Sequence, residues 1–142
     1  MGVRFATNPP IDRERLNALF AASWPRHEDR DFGPVLERSL AYLCAFAGGH
    51  LIGFVNIAWD GGQHAFLLDP TVHPDFRRRG VGKELVARAA SVAREQGVGW
   101  LHVDYEPSLD AFYRCCGFRP TSAGLMKLTG QSRGADEGAL DG

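Results

Sequence analysis

The stretch that most constrains the fold is DFRRRGVGKEL, Asp75 to Leu85, where three arginines meet two glycines and lead into a helical pattern. A helix N-terminus carries about half a positive charge from its aligned peptide dipoles, so Arg77, Arg78, Arg79 and Lys83 stand where cations are mildly unfavourable. Either they are solvated beside bland turn glycines, or an anion is expected. A strand-like run ending at Val72, a short loop and a helix that starts within the glycines would point several unpaired N–H groups at one spot, the geometry of an anion site.

Spacing discriminates between anion-binding loops. A Walker loop needs glycine at position 77 and Ser or Thr after Lys83, where this chain has Arg77 and Glu84. A dinucleotide fingerprint built on Gly80 and Gly82 needs a small residue where Leu85 stands. What remains is R-x-x-G-x-G between a strand and an amphipathic helix.

Around this loop the periodicity predicts a short strand at Val3 to Ala6 and a helix from Arg13 to Ser23 with Asp12 as N-cap, stopped by Pro25. A short helix follows at Pro34 to Ser39. Strands at Ala41 to Ala47, Leu51 to Trp59 and His64 to Val72 are joined by Gly48-Gly49 and Asp60-Gly61-Gly62, turns short enough for an antiparallel meander. Pro70 lies inside the third of these strands, where a missing N–H predicts a bulge. A helix at Arg79 to Gln96 carries an apolar stripe of Val81, Leu85, Val86, Ala89, Val92 and Ala93. A strand from Trp100 to Tyr105, a helix from Pro107 to Cys116 and a last strand from Phe118 to Leu128 complete a mixed α/β pattern. Residues 1–129 read as one domain, and the small, polar, patternless 130–142 as a disordered tail.

With these elements placed, the chain resembles the GNAT superfamily of acetyl-CoA-dependent N-acetyltransferases. The resemblance rests on the loop Arg77 to Gly82, on VHPDF before it, and on AFYRCCGF, Ala111 to Phe118, after it. It covers about residues 40 to 128 well. It implies a mostly antiparallel mixed sheet of six or seven strands with a splayed parallel pair at its centre, flanked by about four helices.

It also implies acetyl-CoA as acyl donor, with the pyrophosphate on Arg77, Arg78, Arg79, Gly80, Val81, Gly82 and Lys83. The pantetheine arm would lie along Pro70, Thr71 and Val72, with Tyr113 packed beside it. The reaction needs an N–H for the developing oxyanion, an acid for the departing thiolate and a base for the amine. The resemblance gives the first role to the Val72 N–H and the second to Tyr113. Asp69, beside the bulge, and His64 are candidate bases. His102, Asp104 and Glu106, on one face by period-two alternation, are further candidate bases and candidate lining of the acceptor cleft, which the resemblance implies is also bordered by the early aromatics Trp24, His27 and Phe32. Glu106 stands where the family often has a cofactor-contacting asparagine. A carboxylate there repels phosphates, so it faces substrate or caps the following helix. A non-catalytic acyl-CoA sensor is the alternative.

The bulk numbers agree with a globular protein: 142 residues, 44% hydrophobic, 23% charged. A formal charge of −1 opposes nucleic-acid binding, and no apolar run reaches the roughly 20 residues that span a bilayer. A soluble, cytoplasmic location is expected. Cys44, Cys115 and Cys116 suit neither a disulfide framework nor a metal site. The expected partner is a small-molecule or peptide amine, and exposed edge strands permit a homodimer.

Overall fold

Gly48 and Gly49 take φ of 56° and 84°, both positive as a type I′ turn requires, and so reverse the chain tightly between β2 (Ala41–Ala47) and β3 (His50–Trp59). The next reversal is held by Asp60, whose carboxylate accepts the Gly62 N–H at 2.7 Å and the His64 N–H at 3.2 Å. It leads into β4 (His64–Val72). With β1 (Arg4–Thr7) these strands form the antiparallel meander read from the sequence. The computed structural model describes residues 2–130; the tail expected at 130–142 lies, apart from Gly130, outside the described residues.

Helix α3 (Val81–Glu95) crosses back and delivers β5 (Trp100–His102), parallel to β4. The order is β1-β2-β3-β4-β5. Two expectations need correction. The sheet has five strands among the described residues, fewer than six or seven, because Phe118 to Leu128 joins no ladder. The parallel pair therefore lies at the edge of the sheet and not at its centre.

Helices cover both faces. On one, the predicted stripe of α3 packs Val81, Leu85, Val86 and Ala89 against Leu43, Ala45, Ile52, Val55, Ile57, Ala65 and Leu67, and Ala93 is buried as well. Gly53 is the point of closest approach: a Cβ there would lie 3.0 Å from Leu85 Cδ1 and 3.1 Å from the Ala45 Cβ, so only glycine lets α3 settle. On the other face, α1 (Arg13–Ser23) places Leu16, Leu19 and Phe20 against Cys44, Phe46, Leu51 and Phe54. Its N-cap is Asp12, accepting the Arg15 N–H at 2.7 Å. The short helices α2 (Gly33–Arg38) and α4 (Asp110–Cys115) complete the set, α4 preceded by a 3₁₀ turn at Pro107–Leu109.

Candidate active site

The site is built where β4 loses its regularity. Leu68 faces Asn56 and Thr71 faces Phe54, so Asp69 and Pro70 together oppose the single residue Val55, the bulge that Pro70 demanded. Asp69 takes φ 54°, a left-handed conformation that aspartate tolerates better than most residues. Thr71 is buried and its hydroxyl donates to the Asp69 carbonyl at 2.9 Å, pinning the kink.

Beyond the bulge the ladder fixes where the main chain points. His73 N–H donates to Ile52 C=O at 2.8 Å, so His73 and Ile52 form a hydrogen-bonded pair. Val72, paired with Gly53, is then a non-hydrogen-bonded position, and its N–H and C=O turn away from β3 toward the β5 side. Nothing of β5 meets them, because the parallel ladder runs only from His64↔Trp100 to Phe66↔His102. Residues 103–106 keep the alternation of exposed and inward positions without pairing to β4. His102, Asp104 and Glu106 do share the exposed side, as period two implied. The two strands thus part, leaving a gap that the Val72 N–H faces without a strand partner.

The loop and α3 form the second wall. Gly80 has φ 81°, and the first bond of the helix is Glu84 N–H to Gly80 C=O at 3.0 Å. The N–H groups of Val81, Gly82 and Lys83 therefore have no intrahelical acceptor. Arg78 also stands at positive φ, 64°. The arginines are not equivalent: Arg77 Nε donates to Val72 C=O at 3.1 Å, and Arg79 lies 5.2 Å over the Phe76 ring. Arg78 and Lys83 are the exposed cations left to supplement the backbone. Gly82 has a separate reason, since a Cβ there would lie 3.4 Å from Phe112 Cζ and 3.6 Å from Val72 Cγ2. It lets α3, α4 and the end of β4 converge. An open strand edge, a cradle of free N–H groups and two nearby cations fit a coenzyme A pyrophosphate and pantetheine arm.

On the third wall, α4 buries Tyr113, whose ring stacks on Tyr105 at 4.7 Å and meets Phe112 and Phe118 edge-on. Burial pushes its phenol up to about 12, with smaller pushes from Cys116 and Asp104, so it stays protonated at neutral pH. Tyr105 donates to Asp110 Oδ1 at 2.8 Å, and Arg114 grips the same carboxylate at 2.7 Å, which locks the first turn of α4. Glu106 makes no side-chain cap on the turn at Pro107, so the capping role expected for it is not taken up; its side chain is exposed.

The α1 side of the cleft is held by a residue without a motif. Asn17, buried in α1, accepts the Arg30 N–H at 3.0 Å, donates to the Arg30 carbonyl at 2.7 Å, and contacts His27 Nε2 at 2.7 Å. It clamps the loop between α1 and α2. Phe32 is core, packed edge-on against Phe20 at 5.0 Å, while Trp24 and His27 are half-buried around the same ring. The loop brings Arg30 toward Asp69. Solvent reaches the Asp69 carboxyl, yet the crowding of the cleft raises it above the usual aspartate range, with Arg30 pulling the other way. His64 Nδ1 lies 2.8 Å from His102 Nε2, and His102 stacks on Phe66 at 4.5 Å. At about 3.3 Å per residue this pair sits roughly 16 Å along β4 from Asp69. Among the described residues no group of three His, Cys, Asp or Glu is arranged to hold a metal ion, and no helix is long and apolar enough to cross a membrane.

A mixed α/β sheet split at a parallel pair, with a glycine cradle on one lip and a buried tyrosine on the other, defines the class. The family described as Acetyltransferase (GNAT) matches residues 12–118, and the chain belongs to it. A mycothiol acetyltransferase of Mycolicibacterium vanbaalenii is 31% identical over 105 residues, 70% of this chain and 35% of the relative. GCN5-related N-acetyltransferase 1, chloroplastic, of Arabidopsis thaliana is 27% identical over 125 residues, 86% of this chain and 64% of the relative. The chain spans 35% to 64% of the lengths of these two relatives. Among solved structures, a GNAT-family acetyltransferase from Streptococcus pneumoniae superposes with a TM-score of 0.78 at 20% identity, covering 92% of this chain and all of that one. The aminoglycoside enzyme AAC(6')-Iy, solved with a CoA-based bisubstrate analogue, superposes with a TM-score of 0.73 at 23% identity over 92% of this chain and all of that one. These structures carry the same fold.

Proposed function

We propose that this chain is an N-acetyltransferase that moves an acetyl group from acetyl-CoA to a primary amine of a small molecule or peptide. The observation that carries the reading is the parting of β4 from β5, with the Val72 N–H and C=O turned into the gap beside the free N–H groups of α3. Bound acetyl-CoA supplies an activated thioester. The free N–H groups of Val81 to Lys83, with Arg78 and Lys83, hold its pyrophosphate; the backbone of Pro70 to Val72 aligns the pantetheine arm as an added strand would. The Val72 N–H donates to the thioester oxygen as negative charge builds there.

The acceptor nitrogen forms its bond to the acetyl carbon as the carbon–sulfur bond breaks. Its proton passes to Asp69, directly or through water, and the thiolate is met by Tyr113. A phenol near 12 is a weaker acid than a thiol near about 8.5 by about three and a half pKa units, roughly 4 to 5 kcal/mol. Tyr113 therefore acts first as a hydrogen-bond donor to the thiolate, with the proton transferred as the dry wall raises the thiol's own affinity for it. His64 and His102, too far along β4 for this step, contact the acceptor.

Calorimetric titration with acetyl-CoA, followed by thiol-release assays across polyamines, aminoglycosides, amino acids and peptides, tests the reading. Micromolar binding and turnover on at least one class are expected. No binding overturns the cofactor site; binding without turnover on any amine turns the protein into an acyl-CoA sensor.

A further inference from the structure

One cation of the cleft is fixed in place and left without an anion. Buried Asn17 bonds both the N–H and the carbonyl of Arg30, at 3.0 and 2.7 Å, so it holds this residue of the loop in particular. The Arg30 guanidinium lies 5.1 Å over the ring of Phe32, itself buried and packed edge-on against Phe20. The flanking carboxylates are engaged elsewhere: Asp29 accepts from Arg13 at 2.7 Å, and Asp31 from the Gly33 N–H at 2.9 Å. Among the described residues no carboxylate pairs with Arg30, whereas Arg13, Arg88 and Arg114 each have one. Arg30 still acts on the nearby Asp69 carboxyl, pulling it down against the crowding that raises it.

A guanidinium resting on an aromatic face keeps its edge N–H groups for a planar anion, and a carboxylate matches that fork. A single guanidinium, with Asp104 and Glu106 exposed beyond the split, suits a singly charged anion better than a phosphate. Beside Asp69 the sheet offers an apolar surface. Leu68 faces Asn56, which shares its side of β3 with Phe54, and Phe54 packs against Phe20 of α1. Leu68 and Phe66 therefore both lie on the α1 face, 38% and 41% exposed.

We propose that the acceptor is an α-amino acid with a large apolar side chain, its carboxylate gripped by Arg30, its amine directed to Asp69 and its side chain laid on Leu68 and Phe66. This rests on the acetyl-transfer reading and names its substrate class. An α-amino acid carries opposite charges close together, complementary to a carboxyl and a guanidinium that share a cleft without pairing. A simple amine would leave Arg30 without an anion and facing an incoming cation.

Calorimetric titration of L-phenylalanine, phenethylamine and glycine, with coenzyme A present and absent, is followed by thiol-release assays with acetyl-CoA and the same amines. Phenylalanine should bind at least about 10-fold more tightly than phenethylamine, which lacks the carboxylate, or glycine, which lacks the side chain. In Arg30→Ala the preference over phenethylamine should fall below about threefold while that over glycine persists; Arg30→Lys, which keeps the charge and loses the fork, should lie between. Equal affinity for phenylalanine and phenethylamine, a preference that Arg30→Ala does not move, or no binding of phenylalanine overturns the proposal, and turnover of phenethylamine would then leave acetyl transfer standing. Phenylalanine binding that depends on Arg30, without turnover of any amine, supports the assignment of Arg30 and overturns the enzymatic reading instead.

Discussion

On the α3 side of the cleft the groups turned to the gap belong to the main chain: the N–H groups of Val81, Gly82, Lys83 and Val72, while the Val72 C=O accepts from Arg77 Nε. On the α1 side they are side chains, Asp69 and Arg30, placed by a loop that Asn17 clamps. A backbone site tolerates many side chains but few backbone shapes. A side-chain site is re-specified by single substitutions, so the first wall suits a constant ligand and the second a variable one.

The sharpest test of that contrast is Arg78→Glu with Gly80→Asp, which places charge and a Cβ where the backbone is left-handed. Acetyl-CoA affinity should fall by at least about 100-fold by calorimetry, since two like charges then face the phosphates. Unaltered affinity would show that the loop is not the cradle.

Asp69→Asn should lower turnover by about 100-fold, within the range of general base catalysis, and leave acetyl-CoA affinity unchanged. Asparagine accepts the left-handed φ, so the bulge survives. The stability effect has the opposite sign. Because the folded carboxyl is raised, the native state holds a proton that the unfolded chain releases, and stability falls as pH rises from the ordinary aspartate value through the folded one. Above that window the loss persists, so Asp69→Asn should melt slightly higher than the parent at pH 7 and not at pH 3. Equal melting temperatures at both pH values would place Asp69 in open water.

Tyr113→Phe should cost about 10-fold in turnover and under about threefold in cofactor affinity; equal losses would make the ring mere packing. With its phenol near 12, Tyr113 should give no alkaline fall in rate below about pH 10. Asn17→Ala should raise the acceptor KM a few-fold with cofactor affinity intact, and lower stability by about 1 to 3 kcal/mol as the Arg30 backbone loses both partners. A changed cofactor affinity would mean the walls are not separate.

The same division explains what could be read before the fold was seen. α3, the meander and the bulge at Pro70 follow from periodicity and from a missing N–H, features each residue carries alone, and the glycine loop is a backbone instruction. Gly82 carried less information than its motif implied: its neighbours Phe112 and Val72 show a packing requirement that spacing does not encode. Asn17 was invisible because its partners lie 10 and 13 residues away and share no pattern. Buried Asn56, which accepts from the Ser39 hydroxyl, escaped notice for the same reason. Residues 118–128 have strand-like composition, but a strand exists only in a ladder, and among the described residues they join none.

The open flank of β4 also bears on the order of events in a catalytic cycle. A ligand lying along Val72 completes an unfinished sheet and forms the floor on which an acceptor stands. The acyl donor should therefore bind first and the acceptor second, with initial-rate plots showing an ordered ternary mechanism. Since such a ligand binds only the folded chain, it should raise stability by about 2.7 kcal/mol at a hundredfold excess over its Kd. The amide of Val72 should then become one of those most slowed in hydrogen exchange.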